Sequence, residues 1–223
     1  MRKIVLFCFI GVIGAARGLD ASPITYAVLV NTSSIAGVSA NIDFQFNPGA
    51  LITDPAFVTI SLFASDGTLA GVPVTTGNVT GTLPAVTIRN TTAFNDYTDG
   101  FTFGNFLSFR VRFDGTALTS PSPTATSGSV FAFSLFNSDF SSAFLTSDAV
   151  NGALVQGDVN LNGTVTITNF STGRTTTVTQ VQDSTPVPEP GTLLLVGAGL
   201  AAVARRGLRG KSATIRSRQL FRR

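Results

Sequence analysis

The sequence predicts an all-β fold, namely an antiparallel sandwich of two sheets with a jelly-roll-like course; a closed barrel is the alternative. Apolar and polar residues alternate over short segments, which is the pattern of half-buried strands. Gly, Pro, Asn and Asp separate these segments. The 223 residues include 22 Gly, 10 Pro and 19 Phe but no Trp. Such a composition favours strands and turns over amphipathic helices.

About nine strands follow from this pattern. In chain order they are 24–31, 41–46, 57–63, 68–82, 86–88, 101–113, 130–136, 164–168 and 175–181. The second strand is the clearest, because Ile42, Phe44 and Phe46 fall on one face of it. The segment 68–82 contains three Gly and one Pro and is predicted to be an irregular edge strand. The segment 130–136 is apolar on both faces and is predicted to be a central strand.

The net charge of the chain, +3, conceals a separation of charge along the sequence. Between residues 22 and 185 there are four Arg and ten Asp, a net charge of −6, so the basic residues lie at the two ends. A body without a basic surface does not suit nucleic acid, which is therefore not expected as a partner. There is no His, and the only Cys is Cys8 in the N-terminal apolar run. No metal, haem or thiolate site is expected, and no cofactor.

One weak metal candidate lies near the end of the body. Asp158, Asn160 and Asn162 occupy alternate positions before Gly163, as in the opening of a calcium loop. The carboxylate expected at the twelfth position is absent, since Asn169 stands there. Asn162-Gly163 between two strand patterns is also a type I′ hairpin signal. A plain turn is therefore the preferred interpretation.

Two further candidates are weighed against simpler interpretations. Asp96 and Asp99 would suit a carboxylate pair for glycoside hydrolysis, but Asp in a turn-rich stretch is ordinary. Arg110 and Arg112 face outward on the strand 101–113 and would suit anionic sugars, whereas a solvated strand face is the simpler interpretation. Without His the usual serine triad cannot form. We therefore expect a protein that is not an enzyme, with no catalytic residue in the body.

The N-terminus has the pattern of a secretory signal peptide. Met1-Arg2-Lys3 precedes an apolar run to Ala16, which is shorter than the roughly 20 residues of a membrane span. Cleavage after Gly18 and cleavage after Ala21 both fit, and we prefer Ala21. The signal helix is then 1–21 and the sandwich domain 22–182.

The C-terminus combines three signals in a fixed order. After a linker at 183–187 come Pro188, Glu189, Pro190 and Gly191, where Glu189 is the only Glu of the chain. An apolar helix follows to Ala204, about 21 Å long for 14 residues and so short for a membrane core of about 30 Å. Arg205 and Arg206 then serve as stop-transfer charges ahead of a basic cytoplasmic tail at 207–223.

This order of motif, helix and arginines resembles the PEP-CTERM sorting signal of Gram-negative bacteria, here over residues 188–206. Residues 43–49 and 98–112 also resemble a recurrent PEP-CTERM cargo domain that has no assigned activity. By this resemblance the chain is a substrate of exosortase, a membrane enzyme that cuts near the motif. The implied course is export through the inner membrane, transient anchoring by the C-terminal helix, and delivery to the outer surface or beyond the cell.

The resemblance gives the expected function. We expect a structural or adhesive protein of the cell surface or extracellular matrix, associated with exopolysaccharide or biofilm. The partners are exosortase, the membrane and exopolysaccharide. A carbohydrate- or calcium-binding module acting on exopolysaccharide is the alternative, and a hydrolase is a distant third.

Overall fold

A computed structural model describes residues 23–182 of the protein, which form a β-sandwich of 13 strands. The strands are β1 Ile24–Asn31, β2 Ser39–Pro48, β3 Phe57–Ser65, β4 Thr68–Leu69, β5 Val74–Thr76, β6 Val79–Thr82, β7 Ala85–Arg89, β8 Asp96–Thr102, β9 Phe106–Asp114, β10 Ser129–Phe136, β11 Ala153–Val159, β12 Val165–Asn169 and β13 Thr176–Val181. One helical turn, α1, covers Thr116–Thr119, and two 3₁₀ turns cover Ser33–Ile35 and Thr172–Arg174. The predicted all-β class is thereby confirmed.

The strands form two antiparallel sheets. Sheet A has six strands in the order β13-β1-β9-β3-β7-β6. Sheet B has seven strands in the order β12-β11-β10-β2-β8-β4, with β5 also paired to β8. Consecutive strands repeatedly change sheet, so the two layers are tied together by the chain itself. The predicted two-sheet sandwich is confirmed, and 130–136 is indeed central, between β2 and β11.

Phenylalanine rings fill the space between the sheets. Phe44 of sheet B meets Phe109 of sheet A edge to face, with ring centroids 5.1 Å apart. Phe113 of sheet A meets Phe131 of sheet B in the same way at 5.8 Å. Such edge-to-face pairs are favourable beyond the apolar area they bury. The inward-facing residues of the alternating strands thus form one aromatic core that both sheets share.

Two predicted strands are divided in the structure. The segment 101–113 was predicted as one strand but contains the end of β8 in sheet B and nearly all of β9 in sheet A. The chain turns between them at Phe103–Asn105, where Asp66 binds the backbone amides of Asn105 and Phe106. The segment 68–82 is three short strands, which belong to both sheets. Turn residues are present in both segments, Gly104-Asn105 in the first and three Gly with Pro73 in the second, and the single-strand predictions passed over them.

Strand β11 was not predicted. Its residues Val155, Gly157 and Val159 face the core, and a Cβ built on Gly157 would lie 2.6 Å from the ring of Phe113. Glycine at 157 therefore makes room for that ring. It also interrupts the apolar alternation by which strands are recognised.

Each strand pairs with a strand of the same segment, and the core is filled by side chains of that segment. Residues 23–182 are therefore expected to fold as a unit. The predicted signal helix 1–21, the linker from 183, the hydrophobic helix and the basic tail lie outside the described residues.

Candidate functional site

The calcium-loop candidate forms the hairpin turn between β11 and β12. The Gly163 amide donates to the Asn160 carbonyl at 3.0 Å, and the Asn160 amide donates to the Thr164 carbonyl at 2.9 Å. Only Gly163 of this turn has a positive φ, +78°. The loop is therefore a type I turn followed by a left-handed glycine, not the type I′ turn of the prediction, which needs positive φ at both central residues.

The three candidate ligands are engaged in local hydrogen bonds. Asp158 accepts from the Gln156 side chain at 2.9 Å. Asn160 donates through its side-chain amide to the Thr164 and Thr166 hydroxyls. Asn162 accepts from Thr164 at 2.7 Å. Residues 23–182 contain no group of three or more His, Cys, Asp or Glu side chains placed to hold a metal ion.

Asp96 and Asp99 do not form a pair. They lie on opposite faces of β8: Asp96 faces outward from sheet B, and Asp99 lies on the inner face beside Tyr97. The spacing of three residues along a strand requires this, since side chains alternate between faces. Burial raises the pKa of Asp99, and the backbone amides of Gly71 and Val72 oppose that rise. The hypothesis of a paired glycosidase site at these residues is therefore wrong.

A different acid pair was missed by sequence reasoning. Asp43 of β2 and Asp96 of β8 meet on the outer face of sheet B, where the strands pair Asp43 with Thr98 and Gln45 with Asp96. The Thr98 hydroxyl lies 3.3 Å from Asp43 Oδ1 and 3.1 Å from Asp96 Oδ2. The Gln45 amide donates to Asp43 Oδ2 at 2.8 Å. The alternation of β2 placed Asp43 on the outer face, but only the register of β2 and β8 brings Asp96 to it.

Asp43 is 2% exposed although its side chain lies on the outer face of the sheet. Burial raises its pKa to about 9, and the hydrogen bond and negative charge of Asp96 add to that rise. Asp43 is therefore protonated at neutral pH and can donate a hydrogen bond to Asp96. The pair holds a proton rather than a net charge of −2.

The outer face of sheet A carries the basic residues of the strands. Arg112 forms an ion pair with Asp114 at 2.7 Å, and the Arg89 guanidinium lies 4.9 Å from the centre of the Phe57 ring. Arg110 has neither kind of partner within residues 23–182 and lines a shallow groove of about 430 Å³. The outward orientation of Arg110 and Arg112 agrees with the prediction, and the structure distinguishes the two residues.

The sorting residues Pro188, Glu189, Pro190 and Gly191 and the stop-transfer charges Arg205 and Arg206 lie outside the described residues. Within residues 23–182, no helix is long and apolar enough to cross a membrane. The sorting residues are located only by their position in the sequence, where they follow the segment that forms the sandwich.

The structure of residues 23–182 and the sequence that follows them define the class of the protein. It is a β-sandwich followed by a C-terminal segment with the pattern of a sorting signal. Residues 186–209 match the family model of the PEP-CTERM protein-sorting motif, so the chain carries that motif and the resemblance of residues 188–206 to it is confirmed. The motif implies export and exosortase-dependent sorting to the cell surface. No curated protein matches the chain. No solved structure matches it either.

Proposed function

We propose that this protein is a non-enzymatic component of the cell surface or extracellular matrix, delivered by exosortase, with a structural or adhesive role alongside exopolysaccharide. The match of residues 186–209 to the PEP-CTERM motif carries the proposal, because it assigns the chain to exosortase-dependent sorting. The sandwich is then the cargo, and the C-terminal segment is its delivery signal.

The C-terminal segment suggests a separate physical role for its prolines, its apolar helix and its arginines. Two prolines around Glu189 favour an extended backbone and exclude a continuing helix, so the motif would stay accessible at the outer membrane face of the apolar helix. The arginines after Ala204 would hold the other end of that helix in the cytoplasm. A helix shorter than the hydrocarbon core of the membrane suits a temporary anchor.

Substitution of the motif tests this proposal. Glu189→Gln is expected to leave unprocessed protein in the inner membrane, whereas the same exchange type at Asp183→Asn, before the motif, is expected to be processed normally. Cell fractionation and immunoblotting measure both. Normal processing and surface release of the Glu189→Gln variant would overturn the proposal.

The alternative, a carbohydrate-binding module, is favoured by the groove beside Arg110. The calcium alternative has less support, because the side chains of Asp158, Asn160 and Asn162 are already hydrogen-bonded to Gln156 or Thr164. Titration of residues 22–185 with Ca²⁺ tests it: heat of binding and a higher melting temperature would restore a calcium site.

A further inference from the structure

The groove on the outer face of sheet A is lined by residues of the neighbouring strands β13, β1, β9 and β3. The small residues Ala27 of β1 and Ser108 of β9 line it, and so do the exposed side chains of Leu29 and Leu62. Arg110 lies in the same groove, directly paired in register with Ala27. Two exposed aliphatic side chains, hydroxyl groups and one guanidinium therefore line one groove.

Leu62 is held in a conformation that the fold alone does not favour. It lies in the β-bulge of β3 between Ser61 and Ala64, with φ +52°, and its side chain is 64% exposed. A left-handed conformation is costly for a residue with a branched side chain, and Gly or Asn would adopt it more easily. Burial of the side chain does not offset this cost. A strained, exposed leucine suggests a contact with something outside the sandwich.

Arg110 is the arginine that lines this groove, and it makes no hydrogen bond or ion pair within residues 23–182. Arg112 is held by Asp114, and Arg89 lies outside the groove, over Phe57. A guanidinium presents a planar fork that matches a carboxylate. The groove therefore offers one site for a carboxylate and apolar walls on either side of it.

A second groove of about 290 Å³ continues from the first. The two share Leu29, and the second is lined by Phe106, Asn31 and Asn105. The Phe106 ring is 41% exposed and belongs to the same outer face as Arg110. A ligand longer than one ring could thus contact the guanidinium, the aliphatic walls and the aromatic ring in succession.

We propose that these two grooves bind an acidic polysaccharide, with a sugar carboxylate on Arg110 and the apolar faces of neighbouring sugar rings against Leu62, Leu29 and Phe106. The proposal rests on the proposed role alongside exopolysaccharide and names the ligand class and its site. Charge complementarity within the grooves favours this occupant, since Arg110 is an unpaired cation and neither groove is lined by an Asp or Glu side chain among the described residues. Hydroxyl groups from Ser108, Thr177 and Thr179 supply further partners for sugar hydroxyls.

The geometry suits a polysaccharide better than a peptide. A peptide that added to a sheet would pair with an edge strand, such as β13 or β6, whereas these grooves lie on the face of the sheet. The test also distinguishes polysaccharide binding from self-association through this face. Self-association would appear as a change in molar mass in the absence of polysaccharide.

The test measures binding of residues 22–185 to polygalacturonate, with neutral dextran as the comparison polymer, by isothermal titration calorimetry. Arg110→Gln is expected to weaken binding by about tenfold or more, because a hydrogen-bonded ion pair is lost. The matched control Arg112→Gln removes the same charge from the same face, and a change below about twofold is expected because Arg112 is already paired. Dextran is expected not to bind.

A second variant separates a binding role from a structural one. Leu62→Asn should weaken polygalacturonate binding without lowering the melting temperature, since Asn tolerates the left-handed conformation. Equal losses for Arg110→Gln and Arg112→Gln would overturn the proposal, as would unchanged binding in Arg110→Gln or no binding by the unaltered protein. Association of the sandwich with itself, seen by light scattering and abolished by Leu62→Asn, would assign the grooves to a second copy and overturn it too. None of these results affects the Glu189 processing assay, so the two proposals fail separately.

Discussion

The buried carboxyl of Asp43 should make the sandwich less stable as the pH rises from about 4 towards 9. Its pKa is about 9 in the folded protein, against an ordinary value of 3.8. Between these values the folded state holds a proton that the unfolded chain has released, so stability falls with rising pH. The slope for one proton is about 1.4 kcal/mol per pH unit, and at pH 7 the accumulated cost is about 4 kcal/mol.

Asp43→Asn should remove most of that cost. An amide copies the protonated carboxyl, since it can donate to Asp96 and accept from Gln45 or Thr98. We expect the variant to be more stable than the unaltered protein by about 2 to 4 kcal/mol at pH 7 and to differ little from it near pH 4. Urea denaturation of residues 22–185 at pH values from 4.5 to 8 measures both quantities.

Asp158→Asn is the matched control, because Asp158 lies on the same sheet face and accepts a hydrogen bond from Gln156. The control should not reproduce the gain in stability at pH 7, because Asp158 is only half-buried. A variant at 43 that is less stable at pH 7, or an unaltered protein that gains stability between pH 5 and 8, would refute the assignment of a retained proton to Asp43.

Three further predictions concern the packing of the core and the stability of the protein at acidic pH. Gly157→Ala should destabilise the sandwich by about 1 to 3 kcal/mol, because the new Cβ meets the buried ring of Phe113; unchanged stability in urea would show that the ring can move aside. Phe44→Ala should cost about 3 to 5 kcal/mol, since it removes a ring that joins both sheets; a loss below about 1 kcal/mol would contradict the packing described for it. Asp66→Asn should destabilise the protein at pH 7 and have less effect as the pH falls below about 4. Backbone amides lower the pKa of Asp66, so its contribution is present above its ordinary pKa and is lost as it is protonated. A pH-independent effect of Asp66→Asn in thermal melts would contradict this cause.

The strand pattern of the sequence was enough for the fold class and for most strands of the sandwich. Alternation in β2 and in β9 identified the faces that pack inward, and Ile42, Phe44 and Phe46 are buried together as predicted. The change of sheet between β8 and β9 escaped prediction although Gly104-Asn105 marks the turn in the sequence; Asp66 from a distant loop holds that turn. Strand β11 escaped because Gly157, which makes room for the Phe113 ring of the other sheet, interrupts its apolar alternation. The second failure has a tertiary cause that a local pattern does not contain.

The sorting segment was predictable because its motif, helix and arginines are contiguous in sequence. The sites of the sandwich were not, because they depend on register. Asp43 meets Asp96 through the pairing of β2 with β8, and the spacing of Asp96 and Asp99 along one strand suggested the wrong partner. The ion pair that distinguishes Arg112 from Arg110 is an exception, because Asp114 lies two residues along the same strand and therefore on the same face.

The intact mass of the protein recovered outside the inner membrane tests the central claim most directly. In cells with exosortase, delivery through the motif predicts a species that has lost the arginine-rich end, including Arg205 and Arg206; in cells without exosortase, it predicts the uncleaved C-terminus retained in the inner membrane. Recovery of protein that ends at Arg223 at the cell surface, in equal amounts from both strains, would contradict the claim.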